Sequence, residues 1–150
     1  MYLALLAIIA AASPPATKIY PAIFRSCYDG DTCSFDLVLS DVTSDIGAGI
    51  TQRIVIVKTD KVRLCDINAP EIKPGPNPAA IKARDDLTKW ISSAKALMVE
   101  VPQKPNCVSG AACDKVEKYG RLLGYVIADG VNLNERQLAT GNAVPFMACR

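Results

Sequence analysis

Residues 22–39 read AIFRSCYDGDTCSFDLVL, two strand-like runs joined by a short turn. The first run, Ala22–Tyr28, is of mixed polarity, and the second, Thr32–Leu39, is rich in residues that favour strands. Between them, Asp29-Gly30 is a dipeptide typical of a tight hairpin turn. The stretch therefore predicts an antiparallel hairpin whose turn is rich in carboxylates.

Four further strand segments are predicted downstream of this hairpin. Residues 40–51 carry turn residues and little periodicity, which favours a loop. A β-branched run follows the loop, and a short turn is predicted after it at Thr59-Asp60. The predicted strands are Ile54–Lys58, Lys61–Ile67, Leu97–Val101 and Leu122–Ala128, and the predicted irregular segments are 68–77 and 102–118.

Two helices are predicted among these strands. Asn77 is a suitable N-cap before Pro78, which suits the first position of a helix. Asn132 opens a segment that resembles a capping box, and Gly141 is suited to the end of that helix. Many short strands with interposed helices predict an α+β protein, a small five-stranded Greek-key barrel of the OB-fold kind with two packed helices.

The first 21 residues predict an export signal followed by a linker. Residues 3–12 form an apolar run that is shorter than the about 20 residues needed to span a bilayer. The run ends in small residues, which predicts a signal peptide over 1–12; a fraying N-terminal helix is the alternative. Residues 13–21 are proline-rich and predict a linker, so the domain is expected over 22–150, in a secreted or periplasmic protein.

Six cysteines in a chain of 150 residues fit an exported domain and suggest up to three disulfides. Six cysteines allow about 15 connectivities. Cys27 and Cys33 flank the hairpin turn and face one another in the predicted pairing. Bridging of Cys107 to Cys113 would close a short loop, and this would leave Cys65 for Cys149.

Histidine is absent, which excludes Ser-His-Asp triads, Cys-His proteases and histidine-based metal sites. The net charge of +2 provides no polybasic tail. Affinity for nucleic acid would therefore depend on how basic residues cluster. An enzyme with this composition must rely on carboxylate, Arg, Lys, Tyr or Cys side chains, with a metal bound by oxygen.

Four motifs in this order resemble the staphylococcal nuclease (thermonuclease) family. They are Asp29-Gly30-Asp31-Thr32, Arg63-Leu64 with Ile67-Asn68-Ala69-Pro70-Glu71, Lys118-Tyr119-Gly120-Arg121, and Asn134-Glu135 with Gly141. The resemblance covers roughly residues 22–147 and implies a monomeric, calcium-dependent nuclease (an endonuclease) of low sequence specificity. It implies DNA and RNA as substrates, single-stranded or locally unpaired, and no membrane association after processing.

The resemblance also assigns roles residue by residue. Calcium would be bound by Asp31, Asn68 and the backbone carbonyl of Ala69, with Asp29 as an acid behind these ligands. Catalysis would rest on Arg63 and Arg121, which grip the phosphate, and on Glu71, which prepares the water. The substrate would further contact Lys118, Tyr119 and Phe146, with Met147 as the alternative to Phe146.

Asn68 stands where the family pattern has a carboxylate. An amide oxygen can bind calcium but brings no charge, so the calcium affinity is expected to fall. Asp66 precedes it by two residues on the same predicted strand, which predicts that both side chains share a face and that Asp66 supplies the missing charge. The alternative function is a non-catalytic OB-type module that binds single-stranded nucleic acid and has a degenerate metal site.

Overall fold

A computed structural model describes residues 16–108, 110–146 and 149. The predicted signal peptide and Met147 lie outside the described residues. The strands are β1 Thr17–Asp29, β2 Thr32–Asp45, β3 Thr51–Leu64, β4 Ile67–Asn68, β5 Leu97–Pro102, β6 Leu122–Ala128, β7 Val131–Asn132 and β8 Val144–Pro145; the helices are α1 Pro78–Ser92 and α2 Leu133–Ala139. In this part of the chain, no helix is long and apolar enough to cross a membrane.

Five of these strands form a closed ring. Antiparallel pairing gives the order β3-β2-β1-β5-β6, and parallel pairing of β3 with β6 through Val62 and Leu122 closes it. Strand β7 extends the sheet beyond β6, and β4 pairs with β8 in a separate two-stranded sheet. The result is the predicted α+β class: a five-stranded barrel compatible with the OB-fold, with two helices.

The hydrophobic core fills the barrel and the space beneath α1. Phe35 and Leu64 are almost wholly buried inside the ring, and Leu87 and Ile91 of α1 pack onto the same cluster. Trp90 is partly buried against this cluster and helps to pack the helix onto the barrel. The helix therefore shares its buried face with the core of the barrel.

The linker predicted over residues 13–21 is wrong from Thr17 onward. Thr17 to Pro21 belong to β1 and pair in antiparallel register with β5, Thr17 opposite Pro102 and Pro21 opposite Met98. Proline content indicated a linker, but pairing with a strand about eighty residues later in the sequence overrides that local signal.

Two further boundaries were wrong on the β2–β3 hairpin. The loop predicted over 40–51 is mostly strand, because β2 continues to Asp45 and β3 begins at Thr51. Thr59 and Asp60 form no turn but lie within β3, where the Thr59 hydroxyl donates to Oδ1 of Asp36 at 2.6 Å. Cross-strand pairs extend both strands through polar segments that have no strand pattern of their own.

Candidate active site

The β1–β2 turn places two buried carboxylates side by side. Asp29 and Asp31 are 8% and 5% exposed, and the backbone N–H of Asp31 donates to Oδ1 of Asp29 at 3.0 Å. Burial, and then the neighbouring charge of Asp31, raise the pKa of Asp29 to about 6. A bound cation would relieve this repulsion, so the turn has the electrostatics of a cation site.

The turn is fixed tightly against its surroundings. A Cβ added to Gly30 would lie 2.6 Å from Cβ of Ala83 and 2.8 Å from Cβ of Ala69. Neither short side chain can rotate away, so only glycine fits at this position. The backbone N–H of Ala69 also donates to Oδ2 of Asp31 at 2.7 Å. The segment after β4 and the carboxylate turn therefore keep one relative position.

Arg63, near the end of β3, bridges these two segments. Its Nη1 lies 3.3 Å from Oδ2 of Asp31, and its Nη2 donates to Oδ1 of Asn68 at 3.2 Å. Nη1 also donates to the carbonyl oxygen of Leu64 at 3.0 Å. The guanidinium thus contacts the two side chains that the resemblance assigns to calcium.

Arg121 approaches from the segment that precedes β6. Its Nη1 donates to the hydroxyl of Thr32 at 3.1 Å, which places it beside the carboxylate turn. Its Nε donates to Oε1 of Glu117 at 3.1 Å, and this interaction with Arg121 lowers the pKa of Glu117. Sequence reasoning missed Glu117, although its place four residues before the arginine was a signal that it could hold Arg121.

One cavity of about 560 Å³ collects every predicted site residue that the structure describes. Arg63, Asn68 and Arg121 all line it. Glu71 lines the same cavity and is exposed. Residues that were not predicted also line it, among them Glu117, Leu123 and Cys149.

Aromatic and basic side chains flank this cavity. Tyr119 is 73% exposed, with Nζ of Lys118 lying 4.9 Å from its ring centroid. Phe146 is also exposed, with Cζ of Arg63 lying 5.8 Å from its ring centroid. Exposed aromatic faces beside cationic groups suit the stacking of bases next to bound phosphates.

Asp66 does not share a strand face with Asn68, so that prediction is wrong. Residues 65 and 66 form a turn between β3 and β4, and Asp66 has a φ of 66°. Its carboxylate accepts hydrogen bonds from the Tyr125 hydroxyl at 2.6 Å and from the Cys149 N–H at 2.8 Å. The turn breaks the two-residue alternation of a strand, and the side chain anchors the C-terminal segment instead.

The three disulfides are the predicted pairs. They join Cys27 to Cys33, Cys65 to Cys149, and Cys107 to Cys113. The first closes the base of the turn that carries the two aspartates. The second holds Cys149, which also lines the cavity, beside Asp66.

The oxygen donors fit calcium in kind but not in charge. Asp31 offers a carboxylate, Asn68 an amide and Ala69 a carbonyl, all hard oxygen donors of the type that calcium prefers. In the described ranges, no three acidic, cysteine or histidine side chains form a group that could hold a metal. The donor set therefore fits calcium in the type of its atoms, but it supplies one carboxylate where two would bind the cation more strongly.

Comparison with known families gives one match. The sequence model of the family described as staphylococcal nuclease homologue matches residues 61–149, more than half of the chain. The match includes Arg63, Glu71 and Arg121 but stops short of the turn with Asp29 and Asp31. No curated protein matches the chain.

Proposed function

Because the chain belongs to the staphylococcal nuclease homologue family, we propose that it is a secreted, calcium-dependent nuclease that hydrolyses DNA and RNA with low sequence specificity. One observation carries the proposal: Arg63 and Arg121 line the same cavity as the buried carboxylates of Asp29 and Asp31. The planar guanidinium binds two phosphate oxygens at once and keeps its charge. The three disulfides support an oxidising compartment outside the cytosol.

The two arginines would bind and polarise the scissile phosphate. The guanidinium of Arg63 already contacts side-chain oxygens of Asp31 and Asn68, so it must exchange them for oxygens of the phosphate. Arg121 keeps its hydrogen bonds to Glu117 while its Nη1 side faces the cavity beside Thr32. One arginine would thus change partners when the phosphate binds, and the other is positioned in advance.

Glu71 would act as the general base. It is exposed in the cavity and forms no ion pair within the described residues. It accepts a proton from the attacking water while the water oxygen bonds to phosphorus and the bond to the leaving oxygen breaks. Asp31, Asn68 and the Ala69 carbonyl would hold calcium, which when bound neutralises phosphate oxygens and makes water more acidic.

A second function has one specific observation in its favour. Asn68 brings no charge, and its oxygen already accepts a hydrogen bond from Arg63. A protein whose metal site had lapsed in this way would act as an OB-type module that holds single strands without cutting them. The full set of Arg63, Arg121 and Glu71 in the cavity favours the nuclease.

The test is digestion of single-stranded and plasmid DNA, and of RNA, by the oxidised protein with calcium or with excess chelator. We expect cleavage with calcium and none with chelator. Binding without cleavage at saturating calcium would favour the module. Equal cleavage in chelator would remove calcium from the proposal, and neither binding nor cleavage would reject both functions.

A further inference from the structure

A second groove, of about 410 Å³, crosses the outer face of β1, β2 and β3. It shares Arg121 with the active-site cavity, so the two adjoin at this residue. Thr32, whose hydroxyl accepts a hydrogen bond from Arg121, also lines the groove. A ligand that reaches Arg121 from the active site can therefore continue into the groove.

Strand register builds the floor of this groove. Ser26 of β1 lies opposite Ser34 of β2, which lies opposite Lys61 of β3. These three residues form a row of two hydroxyls and one ammonium across the strands. The next row on the same face contains Thr32 opposite Arg63, about 7 Å further along the strands.

Lys61 is available to a ligand. It is exposed and, in the part of the chain that the structure describes, forms no ion pair. Arg25, a basic residue of β1, is instead paired with Asp36. The groove thus holds one unneutralised cation beside hydroxyl groups, which is the chemistry of a phosphate contact.

Tyr28 adds an aromatic face at the same groove. It lies in an irregularity of the β1–β2 pairing, between the residue pairs formed by Cys27 and Asp29. Its side chain is 57% exposed and lines the groove. An exposed tyrosine beside a lysine suits a base and its phosphate, because every base can stack on an aromatic ring.

We propose that this groove binds the next nucleotide of a polynucleotide chain that crosses Arg121 from the active-site cavity. Lys61 contacts its phosphate and Tyr28 stacks on its base. The inference rests on the proposed function and deepens it: the substrate is a chain long enough to occupy both sites, and shorter substrates bind less tightly.

The test compares a fluorescent dinucleotide with a fluorescent octanucleotide, both single-stranded, by anisotropy in chelator at several salt concentrations. The variants are Lys61→Gln and, for stacking, Tyr28→Ala with Tyr28→Phe. The matched control is Lys95→Gln, which removes the same charge. The backbone N–H of Lys95 donates to the side chain of Asp129, just after β6, whereas Arg121 lies just before β6. The control is therefore at the far end of that strand.

We expect Lys61→Gln to weaken octanucleotide binding several-fold and to reduce the salt slope by about 0.7, the value for one phosphate contact on a single strand. Dinucleotide binding should not change, and Lys95→Gln should match the parent. Tyr28→Ala should weaken octanucleotide binding, whereas Tyr28→Phe should not. With calcium, Lys61→Gln should raise KM for the octanucleotide and leave kcat unchanged, because the contact is equal in ground and transition states.

The outcomes separate this inference from the function on which it rests. If the parent cleaves DNA but shows no preference for length, the groove is not a subsite and the nuclease proposal stands. The same holds if Lys61→Gln and Lys95→Gln behave alike. If the parent neither binds nor cleaves either oligonucleotide, both proposals fail.

Discussion

The side-chain amide of Gln137 donates a hydrogen bond to the carbonyl oxygen of Gly30, 2.7 Å away and 107 residues distant in sequence. Gln137 lies on α2 and is wholly buried, and its Nε2 also donates to the carbonyl oxygen of Ala83 on α1 at 3.0 Å. One side chain thus ties the turn to both helices. Because Asp29 and Asp31 flank Gly30, their placement depends on this contact.

Gln137→Leu should therefore lower both stability and activity. The substitution places an apolar side chain of similar size in the core but leaves the carbonyl of Gly30 without this donor, a loss of about 1–3 kcal/mol. Urea unfolding measures the stability. The cleavage rate at urea concentrations well below the unfolding midpoint, where the protein is folded, reports whether the turn still places its two carboxylates correctly. Glu135→Gln, at an exposed site on the same helix, is the control. An unchanged midpoint in Gln137→Leu would contradict the assigned role of this contact.

Loss of the phosphate-binding arginines should separate catalysis from metal binding. Arg63→Ala and Arg121→Ala should each slow cleavage by roughly 10³–10⁵, as for arginines that stabilise phosphoryl transition states. Arg63→Ala should also bind calcium more tightly, because the guanidinium no longer competes for Asp31 and Asn68. Arg121 instead contacts Glu117 and Thr32, so it does not compete with calcium for these ligands. Arg121→Ala should therefore leave the calcium affinity near the parent value.

Single-turnover cleavage and calcium titration measure these two effects. Arg53→Ala is the matched control, since Arg53 pairs with Asp41 on the exposed part of the β2–β3 hairpin. Parent-like cleavage by both active-site variants would mean that the assigned phosphate clamp is wrong. Weaker calcium binding by Arg63→Ala would mean that the arginine supports the metal ligands rather than competing with the ion.

Replacement of Asn68 by aspartate should lower the calcium concentration needed for half-maximal cleavage. The change restores a second carboxylate beside Asp31, and ligand charge tunes calcium affinity over decades. Asp66→Asn should leave that midpoint almost unchanged, because both oxygens of Asp66 already accept hydrogen bonds away from Asn68. It should instead lower the unfolding midpoint by weakening the anchor of Cys149. A calcium midpoint that responds to Asp66→Asn but not to Asn68→Asp would place the ion elsewhere.

The raised pKa of Asp29 should make the stability of the calcium-free protein depend on pH in an unusual direction. Its pKa rises from 3.8 to about 6 on folding, chiefly through burial. The folded protein then binds this proton more tightly than the unfolded chain does, so the contribution of Asp29 to the free energy of unfolding falls as pH rises from about 4 to about 6.

Urea unfolding across this pH range checks that sign. Asp36 and Asp86 have lowered pKa values and act in the opposite direction. The difference in the free energy of unfolding between the parent and Asp29→Asn therefore isolates the contribution of the Asp29 carboxyl. The parent should lose stability relative to the variant as pH rises. Added calcium should remove that loss, because a cation stabilises the charged pair. A difference that stays constant with pH would mean that the environment of Asp29 does not disfavour its charge.

Local signals predicted the features that depend on neighbouring residues. The side chain of Asn77 accepts from the N–H groups of Ala79 and Ala80, as an N-cap does, and Gly141 has the positive φ expected after a helix. The hairpin turn at Asp29-Gly30 is likewise a short-range property. These predictions succeeded because each signal and its structural partner lie within a few residues of one another.

The sequence by itself determined the first hairpin turn, the two helices, the presence of the site motifs and the even set of cysteines. Only the tertiary structure decided what each site residue contacts: Arg121 with Glu117, and Asp66 with Tyr125 rather than alongside Asn68. It also decided that strand pairing overrides the loop at 40–51 and joins Lys61 to Ser34 beside the active site. The physical reason is that ring closure of the barrel brings distant residues together, and hydrogen bonds form only at the distances and angles which that closure sets.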